Sequence, residues 1–260
     1  MDEHTDGELN GAPSIERMTA LLLELSHGVN AHMFRSLGDK VIAGPFVGMS
    51  IPLQPPWDDG NSSTKLLGTY EWELQESVLK AVSRQPDIVV NVGCAEGYYA
   101  IGLARLLPAA KVFALDVSDK SLACCEEYAK RNGVLDRMTL WNGCRSAEEL
   151  VVPGPGRLLY VLDCESYECD LLDKTRCPPL AHADIIVECH DFMVKAESPR
   201  TITELLSERF RDTHDVERIE PGLPPLAKYA FPERCSSALA VLAVTEKRPM
   251  PTRWLACWAK

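Results

Sequence analysis

The chain has 260 residues, 46% hydrophobic and 25% charged, enough for one full α/β domain with an extension or for two small domains. A formal net charge of −11 counts against a general nucleic-acid binder, since neutralising phosphates requires a basic surface; a local basic groove stays open. No stretch approaches the roughly 18 apolar residues of a membrane span, and the acidic start Met1-Asp2-Glu3-His4 lacks the basic region of a secretion signal, so a cytoplasmic protein is expected.

Residues 1–13 are polar and acidic, and disorder is expected there. Residues 14–37 read as a helix, because Leu21, Leu22, Leu25, Val29 and Met33 recur at spacings of three and four; Gly38 marks its end. Residues 41–65 are rich in Pro and Gly, with a turn cluster at Asp58-Asp59-Gly60-Asn61, and predict an arm without a regular element. A second helix is predicted over 70–83. Then Ile88-Val89-Val90-Asn91-Val92 forms a continuous β-branched run, the pattern of a strand buried on both faces. Helix 98–107, strand 111–115, helix 121–132 and strands 138–141, 158–162 and 184–187 follow. Helix 201–210, strand 214–219, helix 236–245 and strand 253–258 complete the chain. This alternation predicts an α/β fold with a doubly wound, mostly parallel sheet and an N-terminal helical arm. The 10 cysteines form no paired Cys-x-x-Cys framework. Cys94, Cys164, Cys189 and Cys257 lie in apolar runs, so reduced, buried thiols are expected.

The chemistry concentrates where a strand, a glycine-bearing turn and a helix succeed one another. In Asn91-Val92-Gly93-Cys94-Ala95-Glu96-Gly97-Tyr98, Gly93 allows a tight turn and Gly97 a close approach, geometry suited to a cofactor at the carboxyl end of a first strand. The third glycine of a dinucleotide fingerprint is missing, which argues against a nicotinamide-dependent dehydrogenase. The next strand ends in Asp116, placed to accept hydrogen bonds from both ribose hydroxyls. A tight turn with Asp116 capping the following helix is the plainer alternative.

These segments resemble motif I and the following acidic strand end of class I S-adenosylmethionine-dependent methyltransferases, over roughly residues 68–210. Asp163-Cys164-Glu165-Ser166-Tyr167-Glu168 is similar to the Asp-x-Glu-Gly-x-Glu segment of the FkbM-like methyltransferases, and Glu188-Cys189-His190 to that family's next strand end. Asn91, Asp116 and Ser166 depart from the family pattern, in which acidic, Glu and Gly residues are usual. The resemblance implies a Rossmann-like domain over 68–260, preceded by the tail, helix and arm of 1–67, and S-adenosylmethionine as cofactor. The loop containing Asn91, Gly93, Cys94, Ala95, Glu96 and Gly97 would pass beneath its methionine part. Tyr98 would contact the carboxylate or pack in the helix. Asp116 would hold the ribose, and Val117, Ser118, Asn142 and Gly143 would border the adenine. Asp163 would stand beside the reactive end.

The acceptor implied by the resemblance is a small-molecule hydroxyl, on a sugar or secondary metabolite. Its deprotonation calls for a base, and His190, with Asp163 or Glu165 orienting it or the acceptor, is the candidate. Asp163, Glu188 and Asp191 form an alternative oxygen-ligand set for Mg2+. The arm and the Pro-rich residues 221–232 are expected to wall the acceptor site, and the apolar stripe of the first helix to pack on the core or pair in a homodimer. The rivals are an RNA or protein methyltransferase and a non-catalytic binding domain of the same fold.

Overall fold

The computed structural model describes residues 14–53, 55, 61–193, 200–229, 231–233, 235–248 and 250–260. The acidic tail and the Asp58, Asp59 and Gly60 positions of the turn cluster lie outside these residues. Helix α1 (Ile15–Leu37) starts at Ser14, whose hydroxyl accepts the Arg17 N–H, and stops at Gly38. Only its second half is buried, through Val29 and Met33, which pack toward α2 (Ser62–Leu67) and α8 (Ser237–Val244). Helix α2 falls where no regular element was expected. All six of its residues are buried, so packing supplies the stability that so short a helix lacks by itself.

Helix α3 (Gln75–Ser83) begins later than predicted, behind a 3-10 turn at Trp72–Leu74. Glu71 explains the delay: its backbone is left-handed at φ 46°, and its N–H donates to the Glu246 carboxylate at 2.8 Å. The alternation then proceeds through β1 (Ile88–Val92), α4 (Tyr98–Leu106), β2 (Lys111–Asp116), α5 (Asp119–Arg131), β3 (Met138–Asn142), β4 (Leu158–Leu162) and α6 (Glu168–Leu171). It closes with β5 (Asp184–Cys189), α7 (Ile202–Phe210), β6 (His214–Ile219), α8 and β7 (Arg253–Ala259).

The seven strands form one sheet in the order β3-β2-β1-β4-β5-β7-β6, with β7 antiparallel to both neighbours and the other pairings parallel. Alternate residues enter two cores. Val89, Val112, Val161 and Ile186 pack on one face with α4 and α5, while Val90, Leu115, Leu162 and Val187 pack on the other with α6 and α7. Burial on both faces is what the unbroken apolar runs required. The order reverses between β1 and β4, and at such a switch point a crevice opens beyond the carboxyl ends of the strands. Because β7 runs the other way, its beginning meets the end of β5: Glu188 pairs with Trp254 and Cys189 with Arg253. No helix among the described residues is long and apolar enough to cross a membrane. All ten cysteines are free thiols.

Candidate active site

A cavity of 970 Å³ opens at this switch point. Its floor is the loop after β1. Gly93 has φ +70°, and a Cβ there would lie 1.7 Å from the carbonyl oxygen of Asp163, so the loop is pressed against the end of β4. The Asp116 carboxylate, at the end of β2, accepts the Ala95 N–H at 3.0 Å and the Ser118 N–H at 2.8 Å. Both oxygens are thereby fixed, and each keeps a lone pair for a further donor. Two neighbouring hydroxyls, as on a ribose, match that arrangement.

Of the residues expected to hold the cofactor, Gly93, Ala95, Asp116, Val117, Ser118, Gly143 and Asp163 line the cavity. Asn91, Cys94, Glu96, Gly97, Tyr98 and Asn142 stand behind or beside that wall. Asn91 is buried in β1 and donates from Nδ2 to the Val161 carbonyl, tying β1 to β4. Cys94 is buried, and Gly97 leaves room for the Cys125 sulfur, which a Cβ would approach to 2.6 Å. Glu96 is paired with Lys65 of α2, both buried. Tyr98 packs edge-on against Phe46 and Tyr70, with ring centroids 5.2 and 5.3 Å away, which favours the packing alternative. Asn142 donates to Asp119 at 2.5 Å. The arm does reach the cavity, through Asn61 and Lys65. The described residues of the 221–232 segment do not. Its Gly222 faces Trp72, and residues 247, 248, 250 and 252 take the wall instead, carried there by the antiparallel entry into β7.

The strand ends bring Asp163, Glu165 and His190 together at the cavity wall. His190 Nε2 lies 3.6 Å from Asp163 Oδ1 and 3.7 Å from Glu165 Oε2. Its Nδ1 is 2.6 Å from Glu168 Oε1, a fully buried carboxylate. A carboxylate only accepts, so in the neutral ring Nδ1 carries the proton and Nε2 presents a lone pair to the cavity. Burial alone would lower the His190 pKa. Glu168 on the ring, with Glu188 and Glu165 nearby, outweighs that, and the net shift is upward from 6.5. Asp163 titrates well above the ordinary 3.8, because it is withdrawn from bulk water and stands beside Glu188 and Glu71. The 34% of its side chain that remains exposed faces the cleft.

The set Asp163, Glu188 and Asp191 does not assemble as a Mg2+ site. Asp191 turns to α7, where it accepts the Thr203 N–H at 2.9 Å and the Thr203 hydroxyl at 2.7 Å, with Arg253 at 3.6 Å. Glu188 is held by Arg248 and Thr252. Oxygens of Glu71, Asp163 and Glu188 do lie within 4.8 Å of one another. The Arg248 guanidinium, however, bridges Glu71 and Glu188 and so supplies the positive charge itself. Burial pushes the Glu71 carboxyl up to about 8, against the pull of Arg248. These residues do not fit a hard, oxygen-liganded cation.

No protein family model matches the sequence. A release factor glutamine methyltransferase from Flavobacterium psychrophilum is 44% identical over 64 residues, 25% of this chain and 22% of the relative, so the chain covers about a fifth of the length of the curated relative it matches. Among solved structures, an O-methyltransferase from Bacillus cereus in complex with SAH superposes with a TM-score of 0.50 at 14% identity, covering 96% of this chain and 94% of that one. The fold is that of the class I methyltransferases. A candidate O-methyltransferase from Klebsiella pneumoniae is similar at TM-score 0.50 and 12% identity, over 94% and 95% of the two chains.

Reading the sequence did not assign roles to Glu168, Glu71 or Arg248. Glu168 closes the Asp-x-Glu-Ser-x-Glu segment, and its place three residues after Glu165 was the available signal. Glu71 and Arg248 meet across 177 positions of chain, and no local pattern marks either.

Proposed function

We propose that the chain is an S-adenosylmethionine-dependent methyltransferase that methylates a hydroxyl of a small molecule, a sugar or secondary metabolite, in the cytoplasm, in the manner of the FkbM-like enzymes. The observation that carries this is the pairing, across one cavity, of a pinned Asp116 carboxylate with a buried His190 whose Nε2 faces inward. Gly93 and Asp116 would cradle the cofactor, which when bound supplies a methyl carbon made electrophilic by its sulfonium. His190 Nε2 would take the acceptor's hydroxyl proton, leaving the oxygen able to accept the methyl group that the cofactor would supply. Glu168 holds the ring and stabilises the imidazolium that results. Asp163, protonated over a wider pH range than an ordinary Asp, can donate a hydrogen bond and so orient the acceptor oxygen. Positioning supplies most of the acceleration, because the sulfonium charge is dispersed rather than created. Transfer of a labelled methyl group to a panel of sugars and phenols tests the reading; label appearing only in protein or RNA would refute the small-molecule acceptor.

The pH dependence follows from the direction of the His190 shift. The base works only when neutral, so kcat/KM falls as pH drops through the raised pKa, giving an acid limb centred above 6.5. Glu168→Gln removes a carboxylate that favours the imidazolium, so the limb moves to lower pH. A limb that stays in place would show that Glu168 does not tune the base.

We also propose a homodimer through α1, whose outer face exposes Ile15, Met18, Leu22 and Leu25. Sedimentation velocity at micromolar concentration checks this, and a monomer there would contradict it.

A further inference from the structure

One group at the cavity wall combines nitrogen and oxygen donors around a point that no cationic side chain fills among the described residues. His190 Nε2 lies 3.6 Å from Asp163 Oδ1 and 3.7 Å from Glu165 Oε2, and one ligand atom from each of the three residues falls within a 4.8 Å span. Donors on a zinc-sized cation at about 2.0–2.2 Å stand about 3.4 Å apart at the tetrahedral angle. The two His190 separations therefore exceed that spacing by only a few tenths of an ångström, and the Asp163 and Glu165 oxygens, no more than 4.8 Å apart, have the remainder to close. Glu165 is 71% exposed, so its side chain is free to make that movement.

The independent observation is the histidine. Its side chain is 5% exposed, and among the described residues no partner stands within hydrogen-bond distance of Nε2, which faces Asp163 and Glu165, with Glu188 Oε2 at 3.9 Å. Its other nitrogen is fixed by Glu168 at 2.6 Å, the carboxylate–histidine relay that orients metal-binding imidazoles and strengthens their donor nitrogen. The neighbouring oxygen-only group of Glu71, Asp163 and Glu188 differs in that Arg248 already balances it. One imidazole and two carboxylates suit a cation of the zinc class rather than a hard, oxygen-seeking one.

We infer that Asp163, Glu165 and His190 form a binding site for one zinc-class divalent cation, with its remaining coordination positions open to the cavity. Cation binding and proton acceptance use the same lone pair on Nε2. An occupied site therefore removes His190 as a base, and Zn2+ inhibits methyl transfer wherever that base is used.

Co2+ is the probe, because its visible absorption intensifies when water ligands give way to a four- or five-coordinate protein site. Added to the full-length chain, it is expected to give an intensified spectrum at one equivalent, erased by excess Zn2+. His190→Ala abolishes the spectrum, and Glu165→Gln weakens binding. Glu168→Gln, which touches the ring and not the metal, weakens it by about 10–100-fold. Asp191→Asn, whose carboxylate is committed to Thr203, leaves it unchanged. A spectrum that stays that of the aquo ion, or one that survives His190→Ala in a chain with unchanged circular dichroism, overturns the site. The readout needs neither cofactor nor acceptor, so its failure leaves the methyltransferase reading standing.

Discussion

The substitution His190→Ala is expected to lower kcat for methyl transfer by about 10²–10⁴-fold, the range of a positioned general base, while the affinity for S-adenosylmethionine stays that of the unaltered chain. The two readouts separate because His190 sits at the end of β5, whereas the cofactor floor is built from the ends of β1 and β2. The imidazole is buried and bonded to a fully buried Glu168, so its removal leaves the Glu168 Oε1, among the described residues, with only the Ser166 N–H, at 3.2 Å. An accompanying stability loss of about 1–3 kcal/mol is expected from the lost hydrogen bond to a buried carboxylate, and kcat is to be compared at a temperature where both proteins are folded. Loss of kcat together with loss of cofactor binding would place His190 in the cofactor site instead of at the acceptor.

Gly93→Ala is expected to be the most damaging change in the cofactor loop. Two costs act in the same direction. The left-handed φ of +70° disfavours any L side chain by about 1–2 kcal/mol. The larger cost is the collision of the new Cβ with the Asp163 carbonyl, 1.7 Å away, since the obstacle is backbone at the end of a central strand and cannot rotate aside. Together these predict a loss of about 3 kcal/mol or more, and a fall in Tm on the order of 10 °C for a domain of this size. The same displacement moves Asp163 and Ala95, so cofactor binding is lost with it. Thermal unfolding by circular dichroism reads the first effect and calorimetry the second. A chain of unchanged Tm carrying Ala at 93 would mean that β1 and β4 do not approach as described.

What could be read from the sequence was what repeats at short range. Ile88-Val89-Val90-Asn91-Val92 announced a strand buried on both faces, because nothing in it alternates, and the structure places its side chains in two cores. Asp116 was identifiable as a site residue from its distance to the glycine loop, and Asp163, Glu165 and His190 from their positions at strand ends. The direction of β7 was not legible, since a strand reads alike either way. The walls that depend on that direction, including Arg248 and Thr252, were therefore missed, and the 221–232 segment was assigned their place. Asn91, Cys94, Glu96 and Tyr98 share a loop motif with Gly93, and a linear motif does not say which side chains turn to the ligand and which turn to the core. Asp191 likewise followed a site residue in sequence, yet its hydrogen bonds to Thr203 direct it to the start of α7.

Methyl transfer at the site rests on S-adenosylmethionine occupying the cavity at the β1–β4 switch point with its ribose on Asp116. Isothermal titration of the unaltered chain and of Asp116→Ala with S-adenosylmethionine measures this directly. The expected result is saturable binding at one molecule per chain, weakened about 10–100-fold by the substitution, as the loss of charge-assisted hydrogen bonds of about 1.5–3 kcal/mol requires. A folded chain that takes up no S-adenosylmethionine, or one that binds it equally well without the Asp116 carboxylate, would contradict the account.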